Sequence, residues 1–383
     1  MKKHKFYLLA AIIISAAGLV YCSKQKDNLN NSESEKTASS RSTEAVGTTS
    51  TPIQIYGVWH AGNEACGWST ERNMTEFDAA NHWLIDRGNG QPSVNLVVLS
   101  FVNPLKLLNK TTDAQTLNGL PRGMTQAVVN YFKTRGIRVM LSIGGITYTN
   151  DWNSALAQNA TQLGLNAAEV AVNMGVGIEI DYEQSNAPNL TGLQSFITAY
   201  RSVLPYDASG NNHAARLTID LAAGDRWLID ICRKATADWL RTDTPVLDYA
   251  NAMVEARQAS SAAAAQANWQ EHIDGKSNYS PVIPPLAPCK FTGAVYLVTG
   301  KSAAPECNNF NNSLAKSTGT YVQSVVPNGA GTSPGMLGYM YWAAECPSSR
   351  RICTTPPNSC ENGVGTGATF YNIQIPMPTL RQQ

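Results

Sequence analysis

Between Ile53 and Trp342, short apolar runs alternate eight times with longer amphipathic stretches. The runs are Ile53–Trp59, Val94–Val102, Val139–Gly144, Gly177–Glu183, Leu217–Ala222, Leu247–Val254, Phe291–Val298 and Met336–Trp342. The stretches between them include Asn73–Asp86, Met124–Arg135, Leu156–Met174, Gly192–Leu204 and Ser260–His272. Strands alternating with helices build βαβ units and a parallel sheet. Runs such as Leu96-Val97-Val98-Leu99 are apolar throughout, as strands covered on both faces must be. Eight such units predict an α/β fold closed into a single-domain (β/α)8 TIM barrel, with its chemistry at the C-terminal ends of the strands. An open doubly wound sheet is the competing architecture. It loses its main support because His60-Ala61-Gly62-Asn63, not a glycine-rich nucleotide loop, follows the first strand. The residues from Ile53 to Gln383 suffice for one barrel of ~250 residues with loop insertions. After Trp342 the alternation fades into Pro, Gly, Ser and Cys, so an irregular C-terminal segment is expected in place of the eighth helix.

Two segments precede the barrel. Residues 1–22 carry Lys2, Lys3 and Lys5, then an apolar run from Tyr7 to Tyr21. That order of a basic and an apolar region is the pattern of a secretory signal, and the run is shorter than the ~20 residues a membrane span needs. Leu19-Val20-Tyr21-Cys22 resembles a bacterial lipobox with Tyr in the small-residue slot. Cys22 would then become the lipidated N-terminus of an exported cell-envelope lipoprotein, at the outer membrane or cell surface; ordinary signal cleavage and secretion is the alternative. Residues 23–52 are rich in Ser, Thr, Asn, Glu and Lys and cannot bury enough surface to offset their ordering entropy, which predicts a disordered tether. The domain organisation expected is therefore signal 1–22, tether 23–52 and barrel 53–383.

Charge narrows the partner. The net charge is +1 and only 15% of residues are charged, so no basic surface argues for nucleic acid, and the only membrane contact expected is the anchor at Cys22. Eight Trp and fifteen Tyr in so weakly charged a chain suit a neutral, ring-shaped partner such as a sugar. Of the eight cysteines, Cys289, Cys307, Cys346, Cys353 and Cys360 cluster late, which in an exported protein suggests loop-stapling disulfides. With Cys22 acylated the remainder is odd, and Cys232, in the apolar stretch Trp227–Trp239, is the candidate unpaired thiol. The late cysteines lack close Cys-x-x-Cys pairs and nearby His, so no metal is expected.

The fourth run carries the chemistry. Glu179, Asp181 and Glu183 recur at two-residue spacing, which on a strand sends all three side chains to one face and Ile178, Ile180 and Tyr182 to the other. Like charges so close cannot all ionise. Sharing a proton raises at least one pKa, which is what a general acid near neutral pH requires. A solvated acidic edge strand is the bland alternative, weakened by the apolar neighbours on both sides.

Gly177-Ile178-Glu179-Ile180-Asp181-Tyr182-Glu183 resembles the fourth-strand signature Asp-x-x-Asp-x-Asp-x-Glu of glycoside hydrolase family 18. Val139-Met140-Leu141-Ser142-Ile143-Gly144-Gly145 resembles the family's third-strand Ser-x-Gly-Gly motif, Leu217–Ala222 its fifth strand, and Gly338-Tyr339-Met340-Tyr341-Trp342 its eighth, where a Trp floors the sugar site. Val176 stands where the first signature Asp belongs and Glu179 replaces the second, while Asp181 and Glu183 match the last two acids. Asn251-Ala252-Met253-Val254-Glu255 resembles the sixth-strand Met-x-Tyr, with Glu255 in the place of the acetamide-binding Tyr.

The resemblance implies a retaining glycosidase, chitinase-like or endo-β-N-acetylglucosaminidase-like, acting on N-acetylglucosamine-containing oligo- or polysaccharides. It implies Glu183 as proton donor, Asp181 as the carboxylate assisting the substrate's acetamide, and Glu179 as their support. Family 18 departs from the two-carboxylate scheme, since the acetamide itself attacks the anomeric carbon. Trp342, Met253, Glu255 and Trp59 are the expected substrate-binding residues; Tyr148 and Trp152 are further candidate sugar platforms, and Tyr182 is read as packing. No cofactor is expected, and a monomer is. A non-catalytic chitin- or glycan-binding barrel is the alternative function, since fold does not fix activity.

Overall fold

The computed structural model describes residues 54–62, 67–86, 90, 92, 94–222, 227–253, 262–296 and 335–342. Residues 1–53, with Cys22 and the tether, lie outside them, as do Glu255, Cys307 and everything after Trp342.

Eight parallel strands form a closed barrel. In chain order they are β1 (Ile55–Ala61), β2 (Leu96–Val102), β3 (Arg138–Gly144), β4 (Gly177–Asp181), β5 (Leu217–Leu221), β6 (Ala250–Ala252), β7 (Phe291–Tyr296) and β8 (Gly338–Trp342). Each pairs with the next, and β8 closes on β1 with Ile55 opposite Gly338 and Trp59 opposite Trp342. The barrel and all eight strands thus agree with the alternation read from the sequence. The sixth run is strand for only three residues, with Leu247 and Tyr249 buried ahead of it.

Helices cover the outside: α1 (Met74–Ile85), α2 (Pro104–Leu108), α3 (Gln126–Lys133), α4 (Thr149–Met174), α5 (Leu190–Val203), α6 (Ile229–Lys234) and α7 (Ala262–Asp274). Their starts follow local capping chemistry, in which a polar side chain accepts an orphan N–H of the first turn. Asn73 caps α1 through Thr75 N, Thr125 caps α3 through Val128 N, and Asn189 caps α5 through Gly192 N. Gly175, at φ 65°, ends α4 in the left-handed conformation that favours glycine. This helix starts at Thr149 and not at Leu156 as its periodicity suggests. Asn159, with φ −165° and ψ 81°, breaks it into two segments, and its side chain accepts from Gln162 N at 3.0 Å, capping the second.

The core lies between the strands and this helical layer. Leu96, Val97, Val98 and Leu99 are completely buried, each contributing about 1.5–3 kcal/mol relative to exposure. Cys232 is a buried thiol on α6. Among the described residues no helix is long and apolar enough to cross a membrane.

Candidate active site

At the C-terminal end of the barrel, β4 alternates as its sequence requires. Ile178 and Ile180 pack into the core, while Glu179 and Asp181 share the other face. The strand ends at Asp181, yet Glu183, two residues on, is still buried at 8% exposure. Tyr182 belongs to the opposite face. Its ring lies 5.6 Å from that of Trp152, its hydroxyl donates to Asn153 Oδ1, and it accepts from Asn189 N at 3.0 Å. Because Asn189 also caps α5, Tyr182 ties the exit of β4 to the next helix.

The paired glycines of β3 hold that exit in place. Gly145 N donates to the Asp181 carbonyl at 3.0 Å, and the Trp152 indole N–H donates to the same oxygen at 3.0 Å. Gly144 sits at φ +123°, and a Cβ there would lie 1.9 Å from that carbonyl and 2.3 Å from the indole nitrogen. Only glycine allows this approach. Ser142, Gly144 and Gly145 thus shape the barrel interior, and Trp152 is wholly buried, which corrects its reading as a sugar platform.

Glu179 is fully buried and held from two sides. Trp59 Nε1 donates to Oε1 at 2.9 Å, and Asn251 Nδ2 donates to Oε2 at 2.6 Å. Asn251 is itself oriented by Thr292 Oγ1, which donates to its Oδ1 at 2.6 Å. Trp59 also departs from its expected part. At 3% exposure, with its N–H directed to Glu179, it places a carboxylate and offers no open ring face to sugar.

A fourth carboxyl joins the three on β4. Asp220, on β5 opposite Asn251, is buried and makes a side-chain hydrogen bond with Glu179. Burial, followed by the charges of Glu183 and Glu179, pushes the Asp181 carboxyl well above the usual carboxylate range. Burial, then the charges of Glu179 and Asp181, does the same to Asp220. Burial also raises Glu179, against the hydrogen bonds it receives. Among the described residues none donates to Asp181 Oδ1 or to Asp220 Oδ1. A buried cluster of carboxyl groups retains protons at a pH where isolated ones would lose them.

Of the other expected substrate contacts, Met253 is half-buried on the strand side of the site, its N–H donating to the Leu221 carbonyl. Trp342 is placed only by its backbone, in register with Trp59 and Tyr296. Glu255 lies outside the described residues. Asp220 and Asn251 were not singled out from the sequence. An Asp at the centre of the otherwise apolar run Leu217–Ala222 was the available signal for the first. Among the described residues no set of three or more His, Cys, Asp or Glu side chains converges as metal ligands would.

The fold and site define a TIM-barrel protein with a buried carboxyl cluster at the C-terminal end of the barrel strands. No protein-family model matches the sequence, and no curated protein matches it. Among solved structures the chain is similar to a GH18 chitinase from Pseudoalteromonas aurantia, with 15% identity, a TM-score of 0.48, and 75% of this chain and 93% of that one covered. It is also similar to a chitinase from Rhizomucor miehei, with 12% identity, a TM-score of 0.47 and coverage of 82% and 98%. A third is a Group IV chitinase from Ostrinia furnacalis in complex with allosamidin, with 10% identity, a TM-score of 0.47 and coverage of 83% and 98%.

Proposed function

We propose that the protein is a retaining glycoside hydrolase cleaving β-1,4-linked N-acetylglucosamine, chitinase-like or endo-β-N-acetylglucosaminidase-like. The carrying observation is Asp181, buried between Glu179 and Glu183 at the end of β4, where their charges and its burial favour a bound proton. Such a set of acids retains a proton at rest. Glu183 delivers that proton to the departing glycosidic oxygen as the bond to the anomeric carbon breaks. The acetamide oxygen of the substrate closes on the same carbon, giving an oxazolinium-like ring, and Asp181, ionised at this point, faces its positive charge. The Glu183 carboxylate then removes a proton from water as that water opens the ring. Two inversions leave net retention. No protein nucleophile is needed, and substrates lacking a 2-acetamido group are poor.

Incubation with chitin oligomers and with a high-mannose glycopeptide, products read by mass, tests this. Cleavage between N-acetylglucosamine units supports the reading and identifies which of the two substrates is used. Binding without cleavage would instead make the barrel a lectin.

The Lys-rich start and Leu19-Val20-Tyr21-Cys22 support export and lipid anchoring at Cys22 in the cell envelope. Cys22→Ala is expected to move the protein from the membrane to the soluble fraction. A variant that stays with the membranes would mean that Tyr7–Tyr21 is itself the anchor.

A further inference from the structure

We propose that Asp220 is a positioning residue for Glu179: it keeps a proton on its own carboxyl and donates that O–H to Glu179, which stays ionised. The catalytic consequence rests on the hydrolase reading above, whereas the protonation does not.

Burial and proximity together place a proton between the two groups. Asp220 and Glu179, at 3% and 0% exposure, lie on the adjacent strands β5 and β4 beside the same Asn251, which pairs with Asp220 in register and donates to Glu179, and the two carboxyls interact. Ionised carboxylates only accept hydrogen bonds, so two of them in such contact must hold one proton. The partners of Glu179 decide which group carries it. Each of its oxygens already accepts a fixed N–H, from the Trp59 indole and from the Asn251 amide. The indole nitrogen can only donate, and the amide is held in its orientation by Thr292. Both N–H groups favour the charged form of Glu179. Asp220 Oδ1, by contrast, receives no donor from the described residues. The groups acting on Asp220 are Glu179 and Asp181 from β4, which favour its protonation after burial, and Asn251 from β6, which opposes it more weakly.

An ionised Glu179 raises the proton affinity of Asp181 through its charge, adding to burial and the charge of Glu183. Asp220 thereby sets the alkaline limit up to which the Asp181 and Glu183 pair keeps the proton that catalysis consumes. Asp220→Asn retains an N–H donor toward Glu179 and no titratable proton. Asp220→Ala removes both, and Glu179 then takes the proton itself, which lowers the proton affinity of Asp181.

Infrared difference spectroscopy on 13C-aspartate-labelled protein at pH 7, wild type against Asp220→Asn, reads the proton directly. Of the label-sensitive protonated-carboxyl C=O bands expected in the wild type, the one from Asp220 is absent from the variant while that of Asp181 remains. In parallel, the alkaline limb of kcat/KM is expected to move down by about one pH unit in Asp220→Ala, with kcat about tenfold lower. Asp220→Asn is expected to restore both the limb and most of the rate. Loss of no band, or an Asp220→Ala profile superimposed on that of the wild type, would overturn the proposal. Should Asp220→Ala not fold, the infrared comparison decides alone. A wild type that shows the band but cleaves neither substrate would retain the shared proton and reject the hydrolase.

Discussion

The two ends of this barrel bury charge in opposite ways. At the N-terminal end, cations gather around one carboxylate, backbone carbonyls and an aromatic ring. Arg201 pairs with Asp248 at 3.0 Å, and the same Asp248 oxygen accepts Leu217 N at 2.8 Å. Lys290 Nζ donates to the carbonyls of Asp248 and Leu247, Arg138 to that of Gly210, and the Arg216 guanidinium lies 5.6 Å over the Tyr249 ring. At the C-terminal end, Glu179, Asp181 and Asp220 are buried together beside Glu183, and the charges that act on Asp181 and Asp220 are those of neighbouring carboxyls. The first arrangement offsets only part of the desolvation, since burial still lowers Arg138 to about 9 and Lys290 to about 8, but each cation has a fixed partner, so it serves the fold. The second brings like charges together, which protons relieve, and a group poised to give up a proton can do chemistry. This matches the general division of a TIM barrel into a stabilising face and a catalytic one.

Substitutions at the two ends should therefore fail differently. Glu183→Gln is expected to lower turnover by ~10²–10⁴-fold, since the amide keeps the shape and cannot donate the proton. Circular dichroism and oligosaccharide affinity should stay near wild type; a smaller loss would remove Glu183 as the acid. Asp181→Asn should lower turnover by ~10²–10³-fold, the usual effect of losing one preorganised electrostatic partner. Asp248→Ala should do the reverse. Removing the partner of Arg201 is expected to cost on the order of 3 kcal/mol of unfolding free energy in urea, with kcat per folded molecule unchanged. A loss of activity beyond the unfolded fraction would blur the division between the ends.

The smallest effect has a definite sign. The folded state raises the pKa of Asp181, so it binds that proton more tightly than the unfolded chain does. Its contribution to stability is complete below the unfolded pKa of ~4 and is lost as pH rises toward the folded value. Asp181→Asn, neutral throughout, is expected to be more stable than wild type at pH 7 and to lose that advantage as pH falls toward 4. Urea midpoints at the two pH values measure it, and an advantage that persists at pH 4 would assign the gain to packing.

Much of this was legible beforehand because two signals are local. Apolar runs such as Leu96–Leu99 identify barrel strands before any pairing is known, and a period of two places Glu179 and Asp181 on one face. What the sequence hid is long-range. Trp59 reaches Glu179 across 120 positions of chain, and nothing near Trp59 distinguishes an indole donor from a sugar platform. A single Asp in an apolar strand is unremarkable until closure of the barrel sets Asp220 against Glu179. The start of α4 was hidden for a different reason, since Tyr148 precedes it without any side-chain cap to mark the first turn.

The central claim is that the like-charged end performs acetamide-assisted hydrolysis, and inhibition by a thiazoline mimic of the cyclised intermediate tests it most directly. Its inhibition constant should be measured on the wild type and on Asp181→Asn, with the residual activity of the variant as the readout. The account predicts tight inhibition of the wild type and weakening by about ten- to a hundredfold in the variant, because only an ionised Asp181 offsets the charge of the protonated ring. A thiazoline without effect on an active wild-type enzyme would contradict substrate assistance and require a protein nucleophile, with Glu179 and Glu255 the first to be examined.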